Sequence, residues 1–156
     1  MPMIENFDER FERAFDHVAF AVNRHIIEHQ VRISRDLGLD LESAYIWGLL
    51  AHLNVTNMLA PDLEGAFNLP PKAVETALRG VRLTDLVQIS GLPRETMRRK
   101  LLILQKLGKT AQTSDGNWVI TIAGVDLKTR EFTKETVIRF LRVADEIKVA
   151  LNHAKP

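Results

Sequence analysis

Basic side chains that could bind a polyanion are concentrated in one short stretch of the chain. Residues 79–110 contain eight Arg and Lys against two acidic residues, a net charge of +6, whereas residues 1–66 carry −6 and the whole chain only +1. Arginine presents a rigid fork of donors that suits phosphate groups and guanine edges. The stretch is therefore positioned to meet a polyanion, unless it is only the solvated face of a helix.

A second pattern with possible chemistry is His25-Ile26-Ile27-Glu28-His29, which matches H-x-x-E-H. In inverted zinc proteases, two such His bind zinc on one helix face and the Glu acts as the base. That site also needs a third ligand and a cleft built by a larger domain, for which this chain has little room. We predict no metal site; a regulatory or adventitious metal at the two His and a metal-dependent hydrolase are the less favoured alternatives.

No other catalytic or cofactor-binding pattern is visible in the sequence. The absence of Cys excludes thiol nucleophiles, Cys-ligated metals and disulfides. The eight Gly are scattered singly, so there is no phosphate-cradling loop or dinucleotide fingerprint. The N-terminus has no signal-like apolar segment, and no apolar run approaches the ~20 residues of a membrane span. We therefore expect a cytoplasmic protein that is not an enzyme, holds no cofactor and does not enter a membrane.

Hydrophobic periodicity and breakers predict the elements of the N-terminal half. Helices are expected over residues 4–36, 41–59 and 72–79, with a Pro-rich loop over 60–72. Gly38 ends the first helix, and Asp40 is a suitable N-cap for the second, whose apolar residues are nearly continuous. The first helix is amphipathic.

The C-terminal half alternates helical and strand patterns. Helices are predicted over 84–89, 93–107 and 134–152, and strands over 109–114 and 117–122. Pro93 suits the first position of its helix and Gly108 the position after its end. Asp115 and Gly116 are the pair that a two-residue hairpin turn prefers, and Thr133 is a suitable cap for the last helix.

Residues 81–122, read as helix, three-residue turn, helix and hairpin, resemble the winged helix-turn-helix superfamily of transcription regulators, of the MarR/IclR-like type. Gly91 falls at the turn where these proteins carry a Gly. The apolar positions that hold their two helices together are matched by Leu86, Leu92, Met97 and Leu101. The resemblance implies a mainly α protein in which a winged helix-turn-helix, a three-helix core plus a β-hairpin, is flanked by extra N- and C-terminal helices.

Helical geometry gives the residues of the predicted recognition helix different tasks. At 100° per residue, the apolar stripe consists of Met97, Leu101 and Leu104. Recognition helices present their first turns to base edges in the major groove. The expected DNA-binding residues are Arg94, Glu95, Thr96, Arg98 and Arg99, with Lys100, Lys109 and Asn117 as further candidates. Glu95 would either accept a hydrogen bond from cytosine or pair with Arg99.

These observations predict three regions: an N-terminal helical region over 1–66 for dimerisation, the winged helix-turn-helix over 70–124, and a C-terminal helix over 125–156. The residues expected to be core are Phe7, Phe11 and Phe15 of the first helix and Val137, Leu141 and Ile147 of the last, on apolar stripes that also contain Val18, Val22, Ile26, Ala144 and Leu151. Because two such helices exceed what the small module needs, we expect a homodimer.

The predicted function is a sequence-specific transcription regulator that binds double-stranded DNA. A small-molecule effector is a further possible partner, in a pocket formed by Tyr45, Trp47, His52 and Phe67. The alternative is a winged helix whose basic face binds an acidic protein instead of DNA.

Overall fold

The computed structural model describes residues 4–56 and 77–154, and this part is mainly helical with one small antiparallel sheet. The helices are α1 (Phe7–Arg32), followed directly by a π-helical turn (Ile33–Leu37), α2 (Leu41–Val55), α3 (Leu83–Ser90), α4 (Arg94–Lys106) and α5 (Leu127–His153). The strands are β1 (Thr110–Gln112) and β2 (Trp118–Ile120). The predicted loop over 60–72 and most of the helix predicted over 72–79 lie outside the described residues.

The chain divides into two compact units. Unit one contains the residues up to Gly38 together with those from Arg130 onward, and unit two contains Leu39–Thr129. Unit two thus includes α2, whereas residues 41–59 are predicted to belong to the N-terminal region.

Unit one pairs α1 with most of α5 around a narrow core. Ala14, Val18 and Leu151 form its buried cluster. Arg32 is only 3% exposed and joins the two helices, because its guanidinium donates to Thr136 Oγ1 and to the carbonyl oxygen of Phe132, each at 3.0 Å. Few large apolar side chains are therefore buried in this unit.

The expectation of a core is wrong for four of the six residues named, since only Phe11 and Ile147 are half-buried and pack against the buried cluster. Val18 and Leu151 are buried, but the exposed members are Phe7, Phe15, Val22 and Ile26 on α1 and Val137 and Leu141 on α5. On α1, the small residues Ala14 and Ala21 are buried instead. A stripe defined by large residues therefore missed the face along which the two helices pack.

α5 begins earlier than predicted and has a different cap. Asp126 accepts hydrogen bonds from the backbone N–H and the hydroxyl of Thr129, both at 2.9 Å, so the helix starts at Leu127. The prediction that Thr133 caps this helix is wrong, since Thr133 lies inside it. Asp and Thr are both good caps, and the earlier one starts the helix here.

Unit two has a dense core to which α3 and α4, two helices joined by a short turn, contribute. Leu86 of α3 and Met97, Leu101 and Leu104 of α4 have no exposed surface. Gly91 ends α3 with φ of 70°, a conformation in which a Cβ is unfavourable, and the chain then turns into α4. Pro93 occupies the N-cap position of α4, so the helix begins at Arg94, one residue after the predicted first helical position.

The hairpin is shorter than predicted, and its turn is of another kind. The N–H of Thr113 donates to the carbonyl of Asn117 at 2.8 Å, and the N–H of Gly116 to the carbonyl of Thr113 at 2.9 Å. The loop therefore has three residues, 114–116, instead of the predicted pair Asp115-Gly116. Gly116 alone has positive φ, 77°, whereas the favoured two-residue turn for this pair needs positive φ at both positions.

A buried Asn joins α2 to the outer edge of the hairpin. Val81 exchanges backbone hydrogen bonds with Trp118, which adds a third short extended segment beside β2. Asn54, with no exposed surface, donates to the carbonyls of Arg79 (2.7 Å) and Trp118 (3.2 Å) and accepts from the N–H of Ile120 (2.9 Å). One amide thus fixes α2, the segment before α3 and β2 to one another.

Candidate nucleic-acid interface

The first turns of α4 present exposed arginines, with Arg99 opposite the buried stripe and Arg94 and Arg98 beside it. Met97 is fully buried, so its side chain anchors the apolar face of the helix in the core of unit two. Arg94, Arg98 and Arg99 are exposed. Their side chains can reach a ligand outside the unit without any change in the core.

Glu95 pairs with Arg98 rather than with Arg99. The guanidinium of Arg98 donates to both carboxylate oxygens, Nε to Oε2 at 2.9 Å and Nη2 to Oε1 at 2.6 Å. This bidentate hydrogen bond lowers the pKa of Glu95 and raises the pKa of Arg98. The predicted pairing with Arg99 is therefore wrong, because an i,i+3 partner is as close on a helix surface as an i,i+4 one.

Lys100 is held inside unit two. Its side chain is 13% exposed, and its ammonium lies 2.7 Å from Asp40 Oδ1 and 3.3 Å from Glu42 Oε2. The hydrogen bond that its ammonium donates to Asp40 raises the pKa of Lys100. At 300° from Met97 this residue borders the buried stripe. The expected contact between Lys100 and DNA would require breaking both ion pairs.

Lys109, at the base of the hairpin, also points inward. Its ammonium donates to the carbonyl of Gly124 at 3.2 Å and lies 4.2 Å from the centre of the buried Trp47 ring. Such a cation–π contact favours the ammonium where it is. Of the remaining predicted residues, Thr96 and Asn117 are half-buried. The basic residues left exposed at the start of α4 are thus the three arginines.

An open cavity beside the hairpin contains charged residues that the sequence analysis did not select. It measures about 470 Å³, and its polar lining includes Arg79, Arg82, Asp85 and Asn117. Arg82 donates to both oxygens of Asp85, at 2.9 and 2.8 Å. Both arginines belong to the basic stretch 79–110 of the sequence. Only the folded chain shows that they lie beside Asn117.

The other predicted clusters have a different environment. His25 and His29 stack with ring centres 6.4 Å apart, and burial, followed by the charge of Arg32, lowers the pKa of His29. Among residues 4–56 and 77–154, no group of three or more His, Asp and Glu could hold a metal ion. Of the residues proposed to form an effector pocket, Trp47 is buried and Tyr45 is 49% exposed; Phe67 lies outside the described residues.

Comparison of the chain with protein-family models, curated proteins and solved structures found no match. No helix in the described part of the chain is both long and apolar enough to cross a membrane. Because no match indicates a function, the geometry of this chain is the basis for the function proposed below.

Proposed function

We propose that the protein is a sequence-specific regulator of transcription that binds double-stranded DNA through a winged helix-turn-helix. The observation that carries the proposal is the orientation of α4. Its apolar side is held in the core of unit two by the fully buried Met97 and Leu101, and its first turns expose Arg94, Arg98 and Arg99. A helix anchored in this way can enter a major groove with its N-terminal residues at the base edges.

The order of elements around α4 supports the same proposal. α2, the short segment at Val81, α3, α4 and the hairpin follow one another, and Val81 pairs with β2 so that three short extended segments lie side by side. This order is the one that a winged helix-turn-helix requires. The hairpin tip, residues 113–117, has no Arg or Lys, so we assign base recognition to α4.

The pairing of Glu95 with Arg98 suits recognition of bases. A guanidinium that donates two hydrogen bonds to one carboxylate has fewer accessible orientations. A less mobile Arg loses less entropy on contact with guanine. Glu95 also remains able to accept a hydrogen bond from the N4 amino group of cytosine. Arg94 and Arg99 add positive charge on either side of the pair.

We further propose that the protein acts as a homodimer held together by unit one. Large apolar side chains at least 40% exposed in this unit are Phe7, Phe15, Phe20, Val22, Ile26, Ile27 and Val31 on α1 and Val137, Ile138, Phe140, Leu141 and Val149 on α5. So much exposed apolar surface is typical of an interface. A second copy would bury it in a four-helix arrangement, and a dimer of this kind would suit a palindromic site whose half-sites are about 34 Å apart.

Charge does not oppose this self-association. Residues 4–38 contain five basic and seven acidic side chains, and residues 130–154 five and four, so the described part of unit one carries only −1. Two copies of a nearly neutral surface repel each other weakly.

Selection of bound duplexes from a random DNA library tests the proposed function. The protein is expected to enrich a common sequence with two related half-sites one helical turn apart. Binding to it should weaken with salt with a log-log slope near −0.9 per phosphate contacted. Failure to enrich any sequence, together with salt-dependent binding to an acidic protein, would favour the protein-interaction alternative.

A further inference from the structure

The open cavity beside the hairpin has a charge and a position that the proposed contacts of α4 do not use. It lies between the segment before α3, the outer side of α3 and the start of β2. We propose that this cavity binds the sugar-phosphate backbone of double-stranded DNA through Arg79 and Arg82, with Asn117 beside them. The inference rests on the proposed function and adds a second contact region to it.

Arg79 provides a guanidinium on a fixed backbone. Its N–H donates to the carbonyl of Asn54 at 3.3 Å, and its own carbonyl accepts from the Asn54 side chain at 2.7 Å. The residue is exposed, and its guanidinium has no partner among the described residues. A free guanidinium displayed from an anchored backbone is suited to bind a phosphate.

Arg82 provides a second, oriented guanidinium. Asp85 accepts from its Nε and Nη2, and 70% of the Arg82 side chain is exposed. Since a guanidinium has five N–H donors, three remain for another acceptor. The ion pair fixes the direction of the group and leaves donors facing the cavity.

Gly80 allows these two arginines to lie directly against the hairpin. A Cβ at this position would come within 2.8 Å of the Cβ of Asn117 and 3.2 Å of Cγ2 of Thr113. Only Gly permits so close an approach without a shift of the hairpin. The hairpin tip has no basic residue, and the ammonium of Lys109 points inward. The segment before α3 therefore supplies the positive charge beside the hairpin.

The cavity continues along α3 toward the start of α4. Its lining includes Arg82 before the first turn of α3 and Ile89 in the last, which are about 10 Å apart along the helix axis. Ile89 is 55% exposed and offers an apolar surface to a deoxyribose. The chain then turns into α4, so the cavity and the proposed base-reading helix are formed by successive elements of unit two.

The open form and basic lining favour a nucleic-acid backbone over a small effector. A small ligand is usually enclosed by mostly apolar walls. This cavity is open to solvent at exposed arginines, so it suits an extended polyanion that is only partly buried.

The test compares binding of the wild-type protein and of R79Q/R82Q to a selected duplex and to a random duplex, by fluorescence anisotropy between 50 and 200 mM salt. Affinity for both duplexes should fall by the same factor, about 10-fold or more, and the log-log salt slope should become shallower by about 1.8, or 0.9 per phosphate. The matched control is R142Q, which removes one exposed Arg from unit one. It should change neither quantity on the random duplex.

R79Q alone, which leaves the Arg82–Asp85 pair intact, should give about half of the change in slope, and R79K should restore it. Unchanged affinity and slope in R79Q and R79Q/R82Q would overturn the inference while leaving the proposed function standing. A loss confined to the selected duplex would also overturn it, because phosphate contacts are blind to sequence. A wild-type protein that binds neither duplex would overturn the proposed function itself.

Discussion

At the scale of single residues, the charged side chains of unit two divide into those held inside and those available outside. Lys100 pairs with two carboxylates inside the unit, and Lys109 lies over the Trp47 ring. Arg94, Arg98 and Arg99 remain outside. The sequence identifies all five residues as basic but cannot show which are paired internally and which are exposed. The partners of Lys100, for example, lie about sixty residues away along the chain and meet it only after folding.

The pairing of Asp40 with Lys100 predicts acid sensitivity. Burial alone would raise the pKa of Asp40, but hydrogen bonds from Lys100 and from Ser43 outweigh it and hold this pKa well below its usual value. The folded-state pKa is thus below the unfolded one, so Asp40 contributes stability above about pH 4 that is lost as pH falls further. D40N should unfold more easily than wild type in urea at pH 7, and the difference should shrink toward pH 2. A difference that is constant with pH would contradict this account.

The buried amide of Asn54 predicts a large loss of stability on truncation. N54A would leave the carbonyls of Arg79 and Trp118 and the N–H of Ile120 without this partner, so we expect the free energy of unfolding to fall by about 2–4 kcal/mol. Urea denaturation measures this change. N23A, at an exposed position of α1, is the control and should have little effect. Equal effects of the two substitutions would show that the three hydrogen bonds contribute nothing.

At the scale of elements, the sequence predicts α3, α4 and the turn between them best. The turn needs a residue with positive φ, the buried stripe needs Met97, Leu101 and Leu104 at helical spacing, and both requirements act over a few residues. The hairpin turn and the start of α5 were predicted wrongly. In each case two local solutions of similar free energy compete, such as Asp126 and Thr133 as caps, and packing decides between them.

The turn between α3 and α4 predicts opposite effects for two Gly substitutions. An added Cβ meets nothing within 4 Å at either Gly91 or Gly48, so only the backbone conformation differs. G91A forces Ala to a φ of 70° and should destabilise the protein by about 1–2 kcal/mol. G48A, inside α2, should stabilise it by up to about 1 kcal/mol. Thermal unfolding of both variants decides, and a stabilised G91A would contradict the turn geometry.

At the scale of the whole molecule, two kinds of surface are exposed: the apolar faces of unit one and the arginines of unit two. Sequence predicted both surfaces from charge and periodicity, but it assigned many of the exposed apolar residues to the core. The spacing of large residues cannot show that α1 packs through Ala14 and Ala21, because an internal helix contact and an interface between copies have the same period.

The apolar faces predict a dimer that a single charge can dissociate. Light scattering of the wild-type protein at micromolar concentration should give twice the mass of the chain. L141E, which places a carboxylate where a 59% exposed Leu lies, should give a monomer. L107E changes a 55% exposed Leu of unit two and should remain dimeric. A wild-type protein that is monomeric under these conditions would remove the dimer from the account.

The most direct test of the central claim is the ratio of affinities for the selected and the random duplex, measured for wild type and for R98A/R99A at one salt concentration. If α4 reads base edges, the double substitution should lower this ratio by at least about 10-fold, at ~1 to 3 kcal/mol per lost bidentate contact, while binding to the random duplex weakens only as expected for two lost charges. An unchanged ratio in a folded R98A/R99A protein would contradict the claim that these arginines recognise sequence.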